Sequence, residues 1–157
     1  MNNLFIGILL TLVPLIELRG GLPFALIYAK DNGISTINIL ILILILNILL
    51  IFIIFLFLDF LHKRLLKINW YERLFKKYLE KTQKKIDKFE KNYTSLGFIA
   101  LMLFVAVPLP LTGAYSGSII SWILELDRKK SIVAISLGIA IAGLIIYFTT
   151  LGALGLF

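Results

Sequence analysis

The chain has no cysteine and a single histidine, His62. Disulfides, thiol catalysis and thiolate metal sites are therefore excluded, and one imidazole cannot build a histidine-based metal cluster. No metal and no cofactor is expected, and the zinc-hydrolase and redox classes drop out. Met1-Asn2-Asn3 lacks the basic region that opens a signal peptide. The apolar stretch behind it runs into Glu17 and Arg19, not into a small-residue cleavage site, so the N-terminus is expected to stay. Within 157 residues there is room for one membrane domain, 1–157, and none for a separate soluble enzyme, so catalysis is not expected.

What is present is apolar. Hydrophobic residues make up 60% of the chain and mean hydropathy is +0.98, enough to put the bilayer ahead of water as its solvent. Residues 39–58 form a run of 20 with Asn47 as the one polar member, and about 20 such residues cross a hydrocarbon core. Four apolar stretches follow one another: 4–29, 37–61, 96–124 and 132–157. The first is interrupted by Glu17-Leu18-Arg19-Gly20-Gly21-Leu22-Pro23. The third is interrupted by Val107-Pro108-Leu109-Pro110-Leu111-Thr112-Gly113, where proline removes a donor and clashes with the preceding turn. Gly20, Gly21, Pro23, Pro108 and Pro110 are accordingly the expected breaks, and each interrupted stretch reads as two half-helices too short to cross.

The order is broken, continuous, basic linker, broken, continuous. Repeat 1 (4–61) and repeat 2 (96–157) flank a linker at 62–95, a repeat of hydropathy and not of residues. Interrupted segments at matching positions of two halves are the sequence mark of a transport site between inverted repeats. Charge sets the topology. Of the 16 basic residues, 11 lie in 62–94 and 3 are Arg128, Lys129 and Lys130. Basic loops stay in the cytoplasm, so both flanks of 96–124 belong inside and that stretch must enter and return. The expected fold is all-α and integral to the cytoplasmic membrane, multi-pass, with two inverted repeats. Each repeat is a re-entrant helical hairpin followed by a transmembrane helix.

Asn69-Trp70-Tyr71-Glu72 resembles a helix start, and Tyr71, Phe75, Tyr78, Leu79, Ile86, Phe89 and Tyr93 then fall on one stripe among lysines. This predicts an amphipathic cytoplasmic linker helix, which either fixes topology or grips anionic lipid head groups. The concentration of basic residues in two inside loops accounts for a pI near 9.7 without nucleic acid as a partner. Ala134, Gly138 and Ala142 form a small-residue face in the last stretch, expected to pack on the other continuous helix or on a second copy of the chain.

Ionisable groups at bilayer depth survive when paired or when they line a watery cavity, which makes Glu17 and Arg19 the leading functional candidates. Their motif, followed about 85 residues later by Pro108-Leu109-Pro110-Leu111-Thr112-Gly113-Ala114-Tyr115-Ser116-Gly117, resembles the small multidrug export protein family, a short relative of the DedA superfamily. The resemblance covers nearly the whole chain. It implies the two hairpins and a transport activity, since some DedA members are linked to moving polyprenyl-phosphate or phospholipid. The chain departs from DedA members in one respect: 96–124 holds no arginine and Leu111 stands where glycine is expected, leaving Arg19 alone.

Arg19 offers a planar fork suited to phosphate or carboxylate, and Glu17 is either its partner or a proton carrier. Residues two apart do not face each other on a regular helix, so a direct pair requires a bend, which Gly20 and Gly21 permit. Half-helices starting near Leu22 and Gly113 would add free amide donors. The resulting expectation is a transporter or flippase of an amphiphilic anion, proton-coupled through Glu17. Arg19, Thr112, Gly113 and Ser116 would bind substrate, with Tyr115 as a further donor. Two rival readings are an exporter of lipophilic cations, with Glu17 as the binding carboxylate, and a non-transporting membrane scaffold.

Overall fold

The computed structural model describes residues 2–14, 16–65, 93–109 and 112–155. Every regular element among them is an α-helix: α1 (Asn2–Leu10), α2 (Glu17–Asp31), α3 (Thr36–Leu65), α4 (Tyr93–Ala106), α5 (Ala114–Ile123) and α6 (Arg128–Ala153). The linker helix expected within 62–95 falls, from residue 66 to 92, outside the described residues, as does Pro110.

Length sorts the helices. At about 1.5 Å per residue, α3 and α6 reach roughly 45 and 39 Å, enough to cross a core of about 30 Å. Their apolar spans are Thr36–His62 and Arg128–Ala153. The other four helices have 9, 15, 14 and 10 residues, and none crosses alone. A short pair followed by a long helix thus occurs twice.

Contacts fix how they run. Thr36 at the start of α3 shares a hydrogen bond of 3.0 Å with Tyr147 near the end of α6. Asp59 near the end of α3 accepts from Arg128 at the start of α6 at 2.7 and 2.8 Å. The two long helices are therefore antiparallel. In the first short pair, a Cβ on Gly7 would stand 3.1 Å from Ala25, and one on Gly21 would stand 2.7 Å from the Gly7 carbonyl, so α1 runs back along α2. Lys30, near the far end of α2, donates to the Leu154 carbonyl at 2.9 Å, beyond the end of α6. In the second pair, Gly97 and Leu101 of α4 line one crevice with Leu126 and Lys130, beside the start of α6. The open ends of the two short pairs therefore lie at opposite ends of the long helices.

The breaks depart from expectation in the first pair. Gly20, Gly21 and Pro23 lie inside α2, and the chain instead turns between α1 and α2, where residues 11–14, with Pro14, and residue 16 are described. Pro23 removes only the donor for the Arg19 carbonyl, a loss that one helix position absorbs. Gly21 serves close approach, because α1 backbone passes where a side chain would stand. In the second pair, α4 stops at Ala106 and α5 starts at Ala114, so Pro108 lies in the break as expected.

Leu22, Leu26, Ile43, Ile51 and Ile135 form a closely packed centre, while Ile53 and Leu56 of α3 stand 62% and 72% exposed. Apolar side chains both inside and out mean that packing, and not removal from water, distinguishes the two faces. At Gly138 the small-residue face of α6 meets α4 and not the other continuous helix, while Ala142 lines a cavity with Asn47 of α3. Gly138 sits against the Met102 carbonyl and Val105 of α4, with contacts of 2.7 Å for an added Cβ. It is Gly143 that faces Leu40 and Leu44 of α3.

Candidate functional site

The turn between α1 and α2 delivers Glu17 to the first position of α2 with φ +46, in the left-handed region that side chains other than glycine rarely adopt. That conformation, and not flexibility at Gly20 or Gly21, lets Glu17 and Arg19 face each other two residues apart. Arg19 Nη1 lies 3.7 Å from Glu17 Oε2, with the glutamate side chain at 6% exposure. The two charges come within ion-pair distance through a bend at Glu17 itself.

Both charged groups reach across to the second break. Arg19 Nη2 donates to the Thr112 hydroxyl and, at 3.3 Å, to the Val107 carbonyl. Thr112 Oγ1 lies 2.7 Å from the Val107 carbonyl and 2.9 Å from that of Leu109, so one threonine closes the break on itself and accepts from the arginine. Glu17 Oε1 accepts the backbone N–H of Tyr115 at 3.1 Å, in the first turn of α5. The carboxylate thus lies at the amino ends of two half-helices, where free N–H groups and the helix dipole favour negative charge. Gly113 is required there, because a Cβ would occupy the position of Glu17 Oε2. The Tyr115 hydroxyl donates to the Leu12 carbonyl at 2.8 Å, a second strap between the breaks.

Arg19, Thr112 and Gly113 are therefore brought together with Glu17 as expected. Ser116 has no hydrogen bond to this cluster among the described residues, whereas its neighbour Tyr115 joins it through backbone N–H and hydroxyl. Asn47 was legible only as an odd polar residue in an apolar run. It is 1% exposed and donates to the Ile43 carbonyl at 3.0 Å. Together with Glu17, Arg19, Gly113 and Ala142 it lines a cavity of about 10 Å³, room for about one water molecule. Arg19 Nε is buried here without a hydrogen-bond partner among the described residues.

A second polar cluster lies at the end of the long helices marked by Arg128. Asp59 accepts both guanidinium nitrogens of Arg128 and, at 3.0 Å, the indole N–H of Trp122, so α3, α5 and α6 meet on one carboxylate. Arg128 also lies 4.8 Å above the Phe55 ring. No spacing in the sequence joins residues 59, 122 and 128, and only the fold assembles them.

Two long apolar helices with lipophilic outer faces, two short pairs opening at opposite ends, and a charged pair held at their junction define an integral membrane protein. The chain belongs to the family described as "Putative small multi-drug export protein", whose model matches residues 17–145 and so includes both breaks. Neither a curated protein nor a solved structure matches it.

Proposed function

We propose that the protein is a multi-pass transporter or flippase of the cytoplasmic membrane that moves an amphiphilic anion, with a phosphate-headed lipid as the substrate class. Arg19 receives the head group and Glu17 couples its movement to protons. The observation that carries the reading is the Arg19 guanidinium at the junction of two half-helix amino ends, with a buried Nε–H that has no partner among the described residues. A buried unmet donor costs about 1–3 kcal/mol, which an anionic ligand would remove. Glu17 holds the place such an anion would take, on the Tyr115 N–H and beside Arg19. Protonating Glu17 weakens its hold on both, and a phosphate can then replace it.

The short pairs are read as re-entrant hairpins of two inverted repeats. The antiparallel run of α3 and α6 supports this, since the end of α3 and the start of α6 meet at Asp59 and Arg128 and the chain between them must return to that side. The basic character of both flanks assigns that side to the cytoplasm. The resemblance to DedA proteins, which holds without the arginine of the second hairpin and so through Arg19 alone, supports the lipid-phosphate class over other anions. The family description favours export of lipophilic cations as the rival, with Glu17 as the binding carboxylate.

Reconstitution in vesicles with a fluorescent phosphate-headed lipid tests the reading. Accelerated exchange between leaflets, abolished by Arg19→Ala, is the expected result. Movement of a lipophilic cation that depends on Glu17 and ignores Arg19 would establish the exporter instead. Neither movement would leave a membrane scaffold.

A further inference from the structure

The junction cavity holds about one water, so it is not where a bulky molecule rests. The larger space is a pocket of about 330 Å³ lined by Phe55, Asp59, His62, Trp122, Glu125 and Arg128, within the size range of small-molecule sites. We propose that this pocket binds a lipophilic organic cation, with the Glu125 carboxylate as its charge partner and the Trp122 indole as its aromatic wall.

Charge on the lining decides the sign of the ligand. Two carboxylates face one guanidinium and one imidazole, that of His62, which is engaged with the Trp122 ring, and the guanidinium is committed: Arg128 spends its fork on Asp59 at 2.7 and 2.8 Å. Asp59 is filled from the other side by the Trp122 N–H. The pair is internally neutral, and Glu125 is left without a partner among the described residues. Lys129 and Lys130 follow in sequence but are exposed and are not part of the lining. An anion entering here would meet two carboxylates and an arginine already bound bidentately; a cation meets one unmet carboxylate.

The aromatic wall is held rigid. The indole N–H is fixed by Asp59 and the His62 ring stands edge-on at 5.1 Å, so Trp122 presents itself to the pocket without freedom to turn. Indole faces attract cations through their quadrupole, and aromatic groups with a nearby carboxylate are the usual receptor for quaternary ammonium.

Glu125 is also held at a conformational cost. It follows α5 with φ +53, while its own N–H bonds to the Trp122 carbonyl and that of Leu126 to Ser121. This helix closure ordinarily takes glycine. Among the described residues the two non-glycine positions with positive φ are Glu17 and Glu125, one glutamate at each polar cavity. Side chains kept in disfavoured backbone commonly serve a function. The inference concerns binding at this pocket and does not rest on the transport reading.

The test uses the full chain in detergent, with Trp70→Phe so that Trp122 is the one indole. The probes are tetraphenylphosphonium and its shape-matched anion tetraphenylborate. The phosphonium should bind saturably and change Trp122 fluorescence, and the borate should not. Glu125→Gln should weaken phosphonium binding about tenfold, the scale of one charge-assisted contact. Glu125→Gly should raise thermal stability while losing the same binding, which separates the carboxylate from the fold. Arg128→Gln, which releases Asp59, should tighten binding. Parent-like phosphonium affinity in Glu125→Gln or in Glu125→Gly, equal binding of the borate, or loss of phosphonium binding in a folded Arg128→Gln would each overturn the proposal.

Discussion

Glu17 Oε1 accepts the backbone N–H of Tyr115 at 3.1 Å, joining the first turn of α2 to the first turn of α5 across 98 residues of sequence. With the Arg19–Thr112 bond alongside it, this contact makes the two chain breaks one structure. A carboxylate accepting an N–H at a helix start while facing a guanidinium is bound from both sides, and the two short pairs are thereby tied at their tips.

Gly113→Ala should be severe for so small a change. Its methyl group would coincide with the Glu17 carboxylate, forcing the carboxylate off the Tyr115 N–H. Overpacking of this kind costs about 1–3 kcal/mol. Gly97→Ala is the control, since nothing lies within 4 Å of its added Cβ. Thermal unfolding in detergent should show a lowered midpoint for position 113 and none for 97. Equal midpoints would mean that Glu17 does not sit where Gly113 lets it.

Glu17→Gln and Arg19→Ala should each strand a buried partner, at roughly 3 to 5 kcal/mol. Arg19→Lys keeps the charge and loses the fork. The lysine variant is expected to insert and unfold like the parent yet lose most transport of phosphate-headed lipid. Residual transport in Glu17→Gln should no longer respond to a pH gradient. A gradient response that survives this change would remove Glu17 as the proton carrier.

The coarse plan of this protein was legible because hydropathy is local. Runs of apolar residues and their interruptions need no partner to be seen, and α3, α6 and the second break fell close to where the apolar runs and Pro108 placed them. The first break was misplaced because Gly20, Gly21 and Pro23 look like breakers in any sequence reading. In the fold, Gly21 admits α1 backbone and Pro23 costs one helix bond, whereas the turn lies between α1 and α2. The sequence left open whether Glu17 pairs with Arg19, and the cause of their 3.7 Å approach, a positive φ at Glu17, leaves no mark in composition. Thr112, Ser116 and Tyr115 were all read as sources of neutral hydrogen bonds, while the contact Tyr115 makes to Glu17 is through its backbone N–H, invisible to residue type. The Asp59, Trp122 and Arg128 cluster depends wholly on tertiary approach.

Topology has its own test. Single cysteines replacing Arg64, at the end of α3, and Lys129, at the start of α6, should both be shielded from an impermeant reagent outside intact cells. One replacing Asn32, between α2 and α3, should react. Labelling of position 129 without position 64 would mean that 96–124 crosses the bilayer, and the re-entrant reading would fail.

The Asp59–Arg128 pair closes one end of the helix assembly, and its contribution follows from its exposure. With side chains 46% and 39% exposed for arginine and aspartate, the pair is partly screened, so it is worth about 1 kcal/mol and not the several of a buried pair. Asp59→Asn should lower the unfolding midpoint slightly and leave the Trp122 N–H an acceptor in the amide oxygen. Asp59→Ala removes that acceptor too and should cost more. The exchange Asp59→Arg with Arg128→Asp restores opposite charges but offers Trp122 no acceptor at position 59. Recovery should therefore be partial, above either single exchange and below the parent. Full recovery would mean that the Trp122 hydrogen bond contributes nothing, and no recovery would mean that the ion pair does not hold α3 to α6.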